Sequence, residues 1–507
     1  MNVFDPQSAT LTMGVCGTGA MGRGIAQIAA QGGVRVLLQD SKPGAAQAAR
    51  DYIVEVLGTQ VAKGKLKPEE AAAAGARLEI VDSLAAFVAC DIVVEAILEV
   101  LDAKKHLFAQ LEAVVRDDCV LASNTSSLSV TAIAAGCRLP ARVAGYHFFN
   151  PVPLMKLVEV VPGMRTDSAV TAALTALAAR MGRTPVTAKD TPGFIVNHAG
   201  RAFGPEALRI LGEGITEFYE IDRVMREQAG FKLGPCELLD LVGIDVSHPV
   251  MESIYRQYYD EPKYKPSVIG QQRKDAGLLG RKSGRGFYGY VDGKQEQMPI
   301  SKSTGPKPAS INVLQATLTE NPQLADFFGK AGVNIITGQG SSGDVHLVAP
   351  LGEDCTTAAL AAGFDPRRSV AIDCLMPLKN RVTLMRNPLT EASAVDAVQA
   401  ACEAAGAQVS VINDSAGFVA QRILAMIVNV GCDIVQQRVC APQDLDLAVS
   451  LGLGYPLGPL AFGDALGTRR VLQVLHNMQS FYGDPRYRAS PWLKRRALLG
   501  VSLLTPE

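Results

Sequence analysis

One of the six histidines in this 507-residue chain, His147, stands between two apolar runs, and a carboxylate, Glu159, follows close behind. The segment reads Tyr146-His147-Phe148-Phe149-Asn150-Pro151-Val152-Pro153-Leu154-Met155-Lys156-Leu157-Val158-Glu159-Val160-Val161. Each run predicts a short buried strand, and Asn150-Pro151 with Pro153 breaks the chain between them. Strands joined in this way can set His147 and Glu159 side by side. An imidazole held by a buried carboxylate has its tautomer fixed and can act as a general base. A core histidine hydrogen-bonded to a neighbour would leave the same trace, so the surrounding elements have to decide.

Upstream, Met13-Gly14-Val15-Cys16 runs into Gly17-Thr18-Gly19-Ala20-Met21-Gly22, and a helix-like stretch begins at Arg23. In such a turn Gly17 permits the tight bend, Gly19 lets backbone approach a pyrophosphate, and Gly22 lets the helix pack on the strand. The helix N-terminus adds N–H groups and positive dipole for the phosphates. By itself the pattern is weak in a chain with 48 glycines. A second strand, Arg35 to Gln39, ends in Asp40, whose carboxylate can accept both ribose hydroxyls and would repel a 2′-phosphate. Strand, turn, helix, strand and acid in order predict dinucleotide binding, with NAD favoured over NADP and nearby Lys42 tempering that preference.

The elements that must position these groups follow the doubly wound pattern. Short strands are expected at Val81-Asp82, Asp91 to Glu95 and Val120 to Ser123, with helices at Pro43 to Lys67 and Lys104 to Val115. Ligands of such sheets sit beyond the carboxyl ends of strands. Glu99, Asn124-Thr125-Ser126 and His147 all fall there. From Thr191 the strand pattern gives way to helices, ending near Gly284-Arg285-Gly286-Phe287-Tyr288.

Composition fits an enzyme. Lys plus Arg number 49 and Asp plus Glu 50, so nothing favours nucleic acid or an anionic membrane as partner. Ten cysteines lie scattered without metal-type spacing, predicting reduced thiols, no metal and a cytoplasmic location. The first twelve residues lack a leader pattern, and no apolar run approaches the length that spans a bilayer.

Taken together, residues 13 to 290 resemble the L-3-hydroxyacyl-CoA dehydrogenases of fatty-acid β-oxidation and related CoA-thioester pathways. The motifs that carry the resemblance are Gly17 to Gly22 with Asp40, Val94 to Glu99, Ser123 to Leu128, and the His147 to Glu159 segment. Asp190 to Asn197 and Arg281 to Tyr288 complete them. The resemblance implies NAD as cofactor and an acyl-CoA thioester as substrate. It implies His147 as base, Glu159 as its orienting partner, and Ser126, Asn150 and Asn197 as polar contacts to substrate or nicotinamide. Glu99, Lys104 and Lys282 match family positions at the cofactor. The chemistry also follows from the residues: His147 can take the hydroxyl proton while Ser126 and Asn197 hold hydroxyl and carbonyl. Unaided, Ser126 could equally be a turn residue or helix cap, Asn197 a polar group on a helix face, and Glu99 a solvated acid.

The second half repeats the first. Asp190, Gly193-Phe194, Asp222, Gly234-Pro235, Asp240 and Gly243 recur as Asp414, Gly417-Phe418, Asp446, Gly458-Pro459, Asp464 and Gly467, always 224 residues on. An internal duplication explains this. Extended backward, the alignment places Asp373 at the position of His147, Met376 at Asn150 and Gln421 at Asn197. Gly338 to Gly343 matches the glycine pattern by letters only, lacking the helix and acid-tipped strand. One working site and one remnant are expected. Four segments follow: a Rossmann-type α/β domain (1–188), a helical domain (189–297), a linker with a degenerate α/β remnant (298–412) and a second helical domain (413–507). The two helical domains should pair within the chain, as partner subunits do in short relatives, and a homo-oligomer is compatible with this. Trp492 and Lys494-Arg495-Arg496 are expected on a solvated helix face.

Chains of this double build resemble dehydrogenases of butyrate-type and aromatic (phenylacetate) pathways, which act on 3-hydroxybutyryl-CoA or 3-hydroxyadipyl-CoA. Two other classes share features: sugar-acid dehydrogenases of the gulonate type, and non-catalytic lens relatives that keep the fold. The duplicated module argues against the first, and the intact His147, Glu159, Ser126 and Asn197 against the second.

Overall fold

The computed structural model describes residues 3–338 and 344–507. Its contacts form two compact units, Met1–His198 with Gln437–Leu453, and Ala199–Gln436 with Gly454–Glu507. The first unit is built on strands β1 (Thr12–Cys16), β2 (Arg35–Gln39), β3 (Leu78–Ile80), β4 (Ile92–Glu95), β5 (Val120–Ser123), β6 (Val143–Phe148), β7 (Leu157–Pro162) and β8 (Thr184–Thr187). They form one sheet in the order β3-β2-β1-β4-β5-β6-β7-β8. β1 to β6 run parallel, β7 turns back antiparallel to β6, and β8 follows β7 in parallel. Helices α1 (Ala20–Gln31), α2 (Ala45–Ala62), α3 (Pro68–Ala76), α4 (Leu101–Glu112), α5 (Val130–Ala134) and α6 (Ser168–Arg180) connect them. Alternate strand residues feed two cores: Val36, Leu38, Ile92 and Val94 one, Leu37, Val93 and Leu121 the other. A sheet covered on both faces needs such continuous apolar strands.

Several boundaries differ from the sequence expectation, among them α4, which starts and ends three residues before the expected Lys104 to Val115. β3 closes at Ile80, so Val81-Asp82 lies past the strand, though the Val81 N–H still donates to the Leu38 carbonyl. The Pro43 to Lys67 helix starts and stops inside those limits because Gly44 takes a left-handed turn and Lys63-Gly64 ends the coil.

The second unit holds the helical repeats, apart from Gln437–Leu453 of the second, and a second sheet. After helices Phe203–Gly212, Phe218–Arg223, Pro235–Val242, Ile244–Gln257 and Val268–Asp275, a small hairpin of β9 (Tyr290–Val291) and β10 (Lys294–Gln295) closes the first repeat. The sheet comprises β11 (Ser310–Val313), β12 (Asn334–Thr337), β13 (His346–Val348), β14 (Ser369–Ile372), β15 (Arg381–Arg386) and β16 (Gln408–Ile412), ordered β12-β11-β13-β14-β15-β16. It repeats the first layout with fewer strands, including the antiparallel step, here between β14 and β15. Of the Gly338 to Gly343 stretch, residues 339–343 lie outside the described residues.

The repeated acids do the same local work. Asp190 accepts the Val130 and Thr131 N–H groups at the start of α5, and Asp414 those of Cys355 and Thr356 at the start of helix Cys355–Ala361. Asp240 holds the Phe287 and Tyr288 N–H groups; Asp464 holds that of Leu503. Between the repeats, buried Glu206 accepts from Arg422 (3.0 Å), Arg486 (2.9 Å) and Tyr487 (2.9 Å).

Two further expectations are corrected. Helix Val419–Gln436 is long and apolar enough to cross a membrane, contrary to the reading that no run approaches that length, yet it lies almost wholly buried as a core helix. Trp492 and Arg496 are buried, the indole N–H on the Leu503 carbonyl and the guanidinium stacked on the indole ring. Only Lys494 and Arg495 of that run are solvated, because the chain end folds back over the helix.

Candidate active site

His147 on β6 and Glu159 on β7 are directly opposite cross-strand partners. His147 Nδ1 lies 2.5 Å from Glu159 Oε2, and both residues are buried. Glu159 spends its other oxygen, Oε1, on the backbone N–H groups of Ile195 (3.0 Å) and Val196 (2.9 Å). A carboxylate so fixed accepts the Nδ1 proton and leaves the Nε2 lone pair facing outward, the tautomer a general base needs. Ser126 Oγ sits 3.0 Å from Nε2. The rings of Phe149 and Phe194 flank the imidazole, with centroids at 4.5 and 5.6 Å.

Ser126 lies in the turn after β5, and Glu99 shapes that turn. Glu99 Oε1 accepts the N–H groups of Ser126 (2.8 Å) and Ser127 (3.0 Å) and the Thr125 hydroxyl (2.6 Å). Burial pushes the Glu99 carboxyl up, but Lys104 and these donors outweigh it and hold it below the ordinary carboxylate value. Lys104 itself is buried, its ammonium 2.5 Å from Glu95 and 3.2 Å from Glu99. Asn197 donates to the Ser126 carbonyl at 3.4 Å, which brings the fourth polar group to the same turn. Asn150 is exposed in the connection after β6. Lys282 belongs to the second unit, where it pairs with Asp245 at 2.5 Å.

Toward the other edge of the sheet lies a cavity of about 600 Å³ lined by Gly17, Gly19, Asp40, Ala96, Ile97 and His106, among others. Gly17 has φ +86° and a Cβ there would meet the Ala96 carbonyl at 2.6 Å; one on Gly22 would meet the Gly17 carbonyl at 1.8 Å. A Cβ on Gly19 would meet nothing within 4 Å, Gly19 and Ala20 are exposed, and no side chain caps the start of α1. Asp40 is set in place by the Thr18 N–H (2.7 Å), the Thr18 hydroxyl (2.9 Å) and the Lys42 N–H (2.9 Å). Partial burial raises its carboxyl, and those donors bring it back below the ordinary value. An open cradle, oriented donors and an ionised acid at the second strand fit a dinucleotide with free ribose hydroxyls.

The family model for the 3-hydroxyacyl-CoA dehydrogenase NAD binding domain matches residues 12–191, and that for its C-terminal domain matches residues 193–290 and again 417–502. The chain belongs to the 3-hydroxyacyl-CoA dehydrogenase family. It is 38% identical to the 3-hydroxyadipyl-CoA dehydrogenase of Escherichia coli (strain K12), over 96% of this chain and 98% of that one. A probable 3-hydroxybutyryl-CoA dehydrogenase of Deinococcus radiodurans is 40% identical over its whole length, which spans 55% of this chain. The crystal structure of an Escherichia coli K12 3-hydroxybutyryl-CoA dehydrogenase superposes with TM-score 0.85 at 37% identity, covering 97% and 98% of the two chains. As a member of this family the protein is an NAD-dependent oxidoreductase.

The sequence gives no individual role to two groups of this dehydrogenase, Glu95 at a strand end and Asn124 in the polar turn. Glu95, at the end of β4, is fully buried and gathers Lys104, the Ser123 hydroxyl (2.6 Å) and the Ile97 N–H (2.8 Å). Asn124 Oδ1 accepts the Phe148 N–H at 2.8 Å and so ties the serine turn to the histidine strand. An acid closing the apolar run Ile92 to Glu95 was the available signal for the first.

Proposed function

We propose that the enzyme oxidises the 3-hydroxyl of an L-3-hydroxyacyl-CoA to the 3-ketoacyl-CoA, and catalyses the reverse reduction, with His147 as the acid–base group. The observation that carries this is the line Ser126 Oγ, His147 Nε2, His147 Nδ1 and Glu159, buried in the same unit as the dinucleotide cleft. NAD, held by Gly17 to Gly22 and Asp40, would supply the hydride acceptor for the substrate carbon. His147 Nε2 takes the hydroxyl proton, and Glu159 stabilises the imidazolium through Nδ1–H. Ser126 and Asn197 orient the hydroxyl and thioester carbonyl, while Gly17 to Gly22, Asp40 and Glu99 serve the cofactor side. Asn150, Lys104 and Lys282 complete the set assigned from the family motifs, Lys104 acting through Glu99.

The substrate we favour is short-chained, 3-hydroxybutyryl-CoA or the dicarboxylic 3-hydroxyadipyl-CoA, because the relatives matched over nearly the whole chain carry these names. The enzyme is placed in the cytoplasm, in keeping with ten free cysteines. The domain division remains 1–188, 189–297, 298–412 and 413–507. The two helical domains stand in for a subunit pair, a reading supported by the Glu206 cluster. NADH formation over a panel of 3-hydroxyacyl-CoA thioesters tests the assignment. The highest kcat/KM should fall on a four-carbon or six-carbon dicarboxylic thioester. Activity on gulonate with none on thioesters would replace this reading by the sugar-acid alternative.

A further inference from the structure

The helical repeats differ at one position where the fold treats them alike. In the second repeat, residues 437–453 join the catalytic unit. The Lys189 N–H, just past β8, donates to the Val439 carbonyl at 2.8 Å, and helix Pro442–Leu453 lies on β7 and β8. In the first repeat, the equivalent stretch joins the second sheet: the Asn413 N–H donates to the Ile215 carbonyl at 2.9 Å, and the coil through Gln228 lies on β15. Both residues of one hydrogen bond lie 224 positions from those of the other. Each repeat therefore lends the same segment to the other repeat's sheet.

At the remnant site that segment presents Gln228. Asp373 directly follows β14 and donates its N–H to the Thr383 carbonyl of β15 at 3.0 Å, where the working sheet has His147 opposite Glu159. Gln228 Nε2 reaches Asp373 Oδ2 at 3.2 Å, its Oε1 accepts the Thr383 hydroxyl at 2.6 Å, and Gln421 donates to Asp373 Oδ1 at 2.9 Å. The glutamine fills and ties up the former site. At the working site the matching residue is Gly452. A Cβ there would come within 2.9 Å of Val196 Cγ2, 3.0 Å of Val196 Cγ1 and 3.1 Å of Leu157 Cδ2. Val196 supplies one of the two N–H groups that hold Glu159, and Leu157 shares a strand face with Glu159, two residues before it. Valine is stiff about χ1 and both neighbours are buried, so neither can yield cheaply. Gly452 is not needed for its backbone: the left-handed turn that ends this helix falls at Gly454. A helical glycine is disfavoured against alanine, so its value here is the room it leaves.

We infer that Gly452 is a positioning residue for the His147–Glu159 pair, supplied to the catalytic unit by the second helical repeat. The inference rests on the proposed roles of His147 and Glu159. Its absent side chain lets the helix press on Val196 and Leu157 without displacing the N–H groups that aim Glu159. The second repeat is then part of the catalytic apparatus.

The test uses the full-length enzyme with NAD and 3-hydroxybutyryl-CoA, measuring kcat, KM and NADH affinity for Gly452→Gln, Gly452→Ala, Val196→Ala and Gly452→Ala/Val196→Ala. Misplacement of a catalytic group by about 1 Å costs on the order of 10²-fold. Gly452→Gln should lose at least about tenfold in kcat, on that scale, while NADH affinity stays within about twofold. Gly452→Ala should lose less, and the double variant should regain most of that loss, because Val196→Ala removes the atoms that the new Cβ meets. Unchanged kcat in Gly452→Gln overturns the inference. If that variant does not fold, the alanine pair decides, and failure of Val196→Ala to restore turnover overturns it equally. His147→Ala, run in parallel, keeps the readings apart: activity there refutes the catalytic pair, whereas its loss beside an active Gly452→Gln refutes only the role of Gly452.

Discussion

At the residue scale, the contact of His147 with Glu159 was legible before any coordinates, because two apolar runs broken by prolines permit few registers. The pair is found in direct register. Asp40 was equally legible from its place at the end of the second strand, and its fixed, ionised carboxylate leads to a cofactor prediction. A 2′-phosphate brought to about 4 Å would meet a repulsion of up to about 4 kcal/mol near a protein surface. Asp40→Ala should therefore narrow the preference for NAD over NADP, measured as the ratio of kcat/KM values. Equal use of both cofactors by the unmutated enzyme would contradict this account of Asp40. Glu95 and Lys104 were less legible. A buried ion pair leaves only isolated charges in apolar surroundings, and the sequence does not say which charge meets which.

At the scale of elements, helix Pro235–Val242 starts on a buried acid. Asp222 accepts the Cys236 (2.9 Å) and Glu237 (3.0 Å) N–H groups and the Tyr288 hydroxyl (2.8 Å). Burial, then the neighbouring Glu237 charge, pushes its carboxyl up to about 8 despite those donors. The folded chain thus keeps a proton that the unfolded chain releases. The stability this contributes is complete below the ordinary carboxyl value and is lost as pH rises through about 8. Tm should fall between pH 6 and pH 9, and Asp222→Asn should flatten that slope; an unchanged slope would remove Asp222 from the explanation. In the second sheet, Asp373→Ala would strand the Gln228 amide and the Leu375 N–H and take one of the two acceptors of the Gln421 amide, at about 1–3 kcal/mol for a buried unpaired group. Tm should drop while kcat stays within about tenfold of wild type, since positioned acid–base groups at a working site contribute more. The degeneracy of this site could be read from Asp373 standing where a histidine would be. Its filling by Gln228 could not, because that contact joins residues 145 positions apart.

At the scale of the whole molecule, the duplication was visible as a constant offset, but the exchange of segments between repeats was not, since an offset aligns sequences without saying which copy touches which. Ending the chain near residue 298 would leave buried Glu206 without Arg422 and Arg486. Removing one side of a buried ion pair costs about 3–5 kcal/mol, and the apolar faces of the first helical repeat would lie open. The truncated protein should aggregate or dimerise in sizing experiments; a monomeric, soluble and fully active truncation would show that the second repeat covers nothing the first needs. The central claim is that one buried imidazole–carboxylate pair performs the proton transfer for an NAD-linked 3-hydroxyacyl-CoA dehydrogenase. It is tested most directly by kcat for NADH formation from a short 3-hydroxyacyl-CoA, wild type against His147→Ala, with NADH affinity measured on both. The account predicts a loss of about 10²–10⁴-fold in kcat with affinity unchanged. Near-normal turnover by His147→Ala would contradict it.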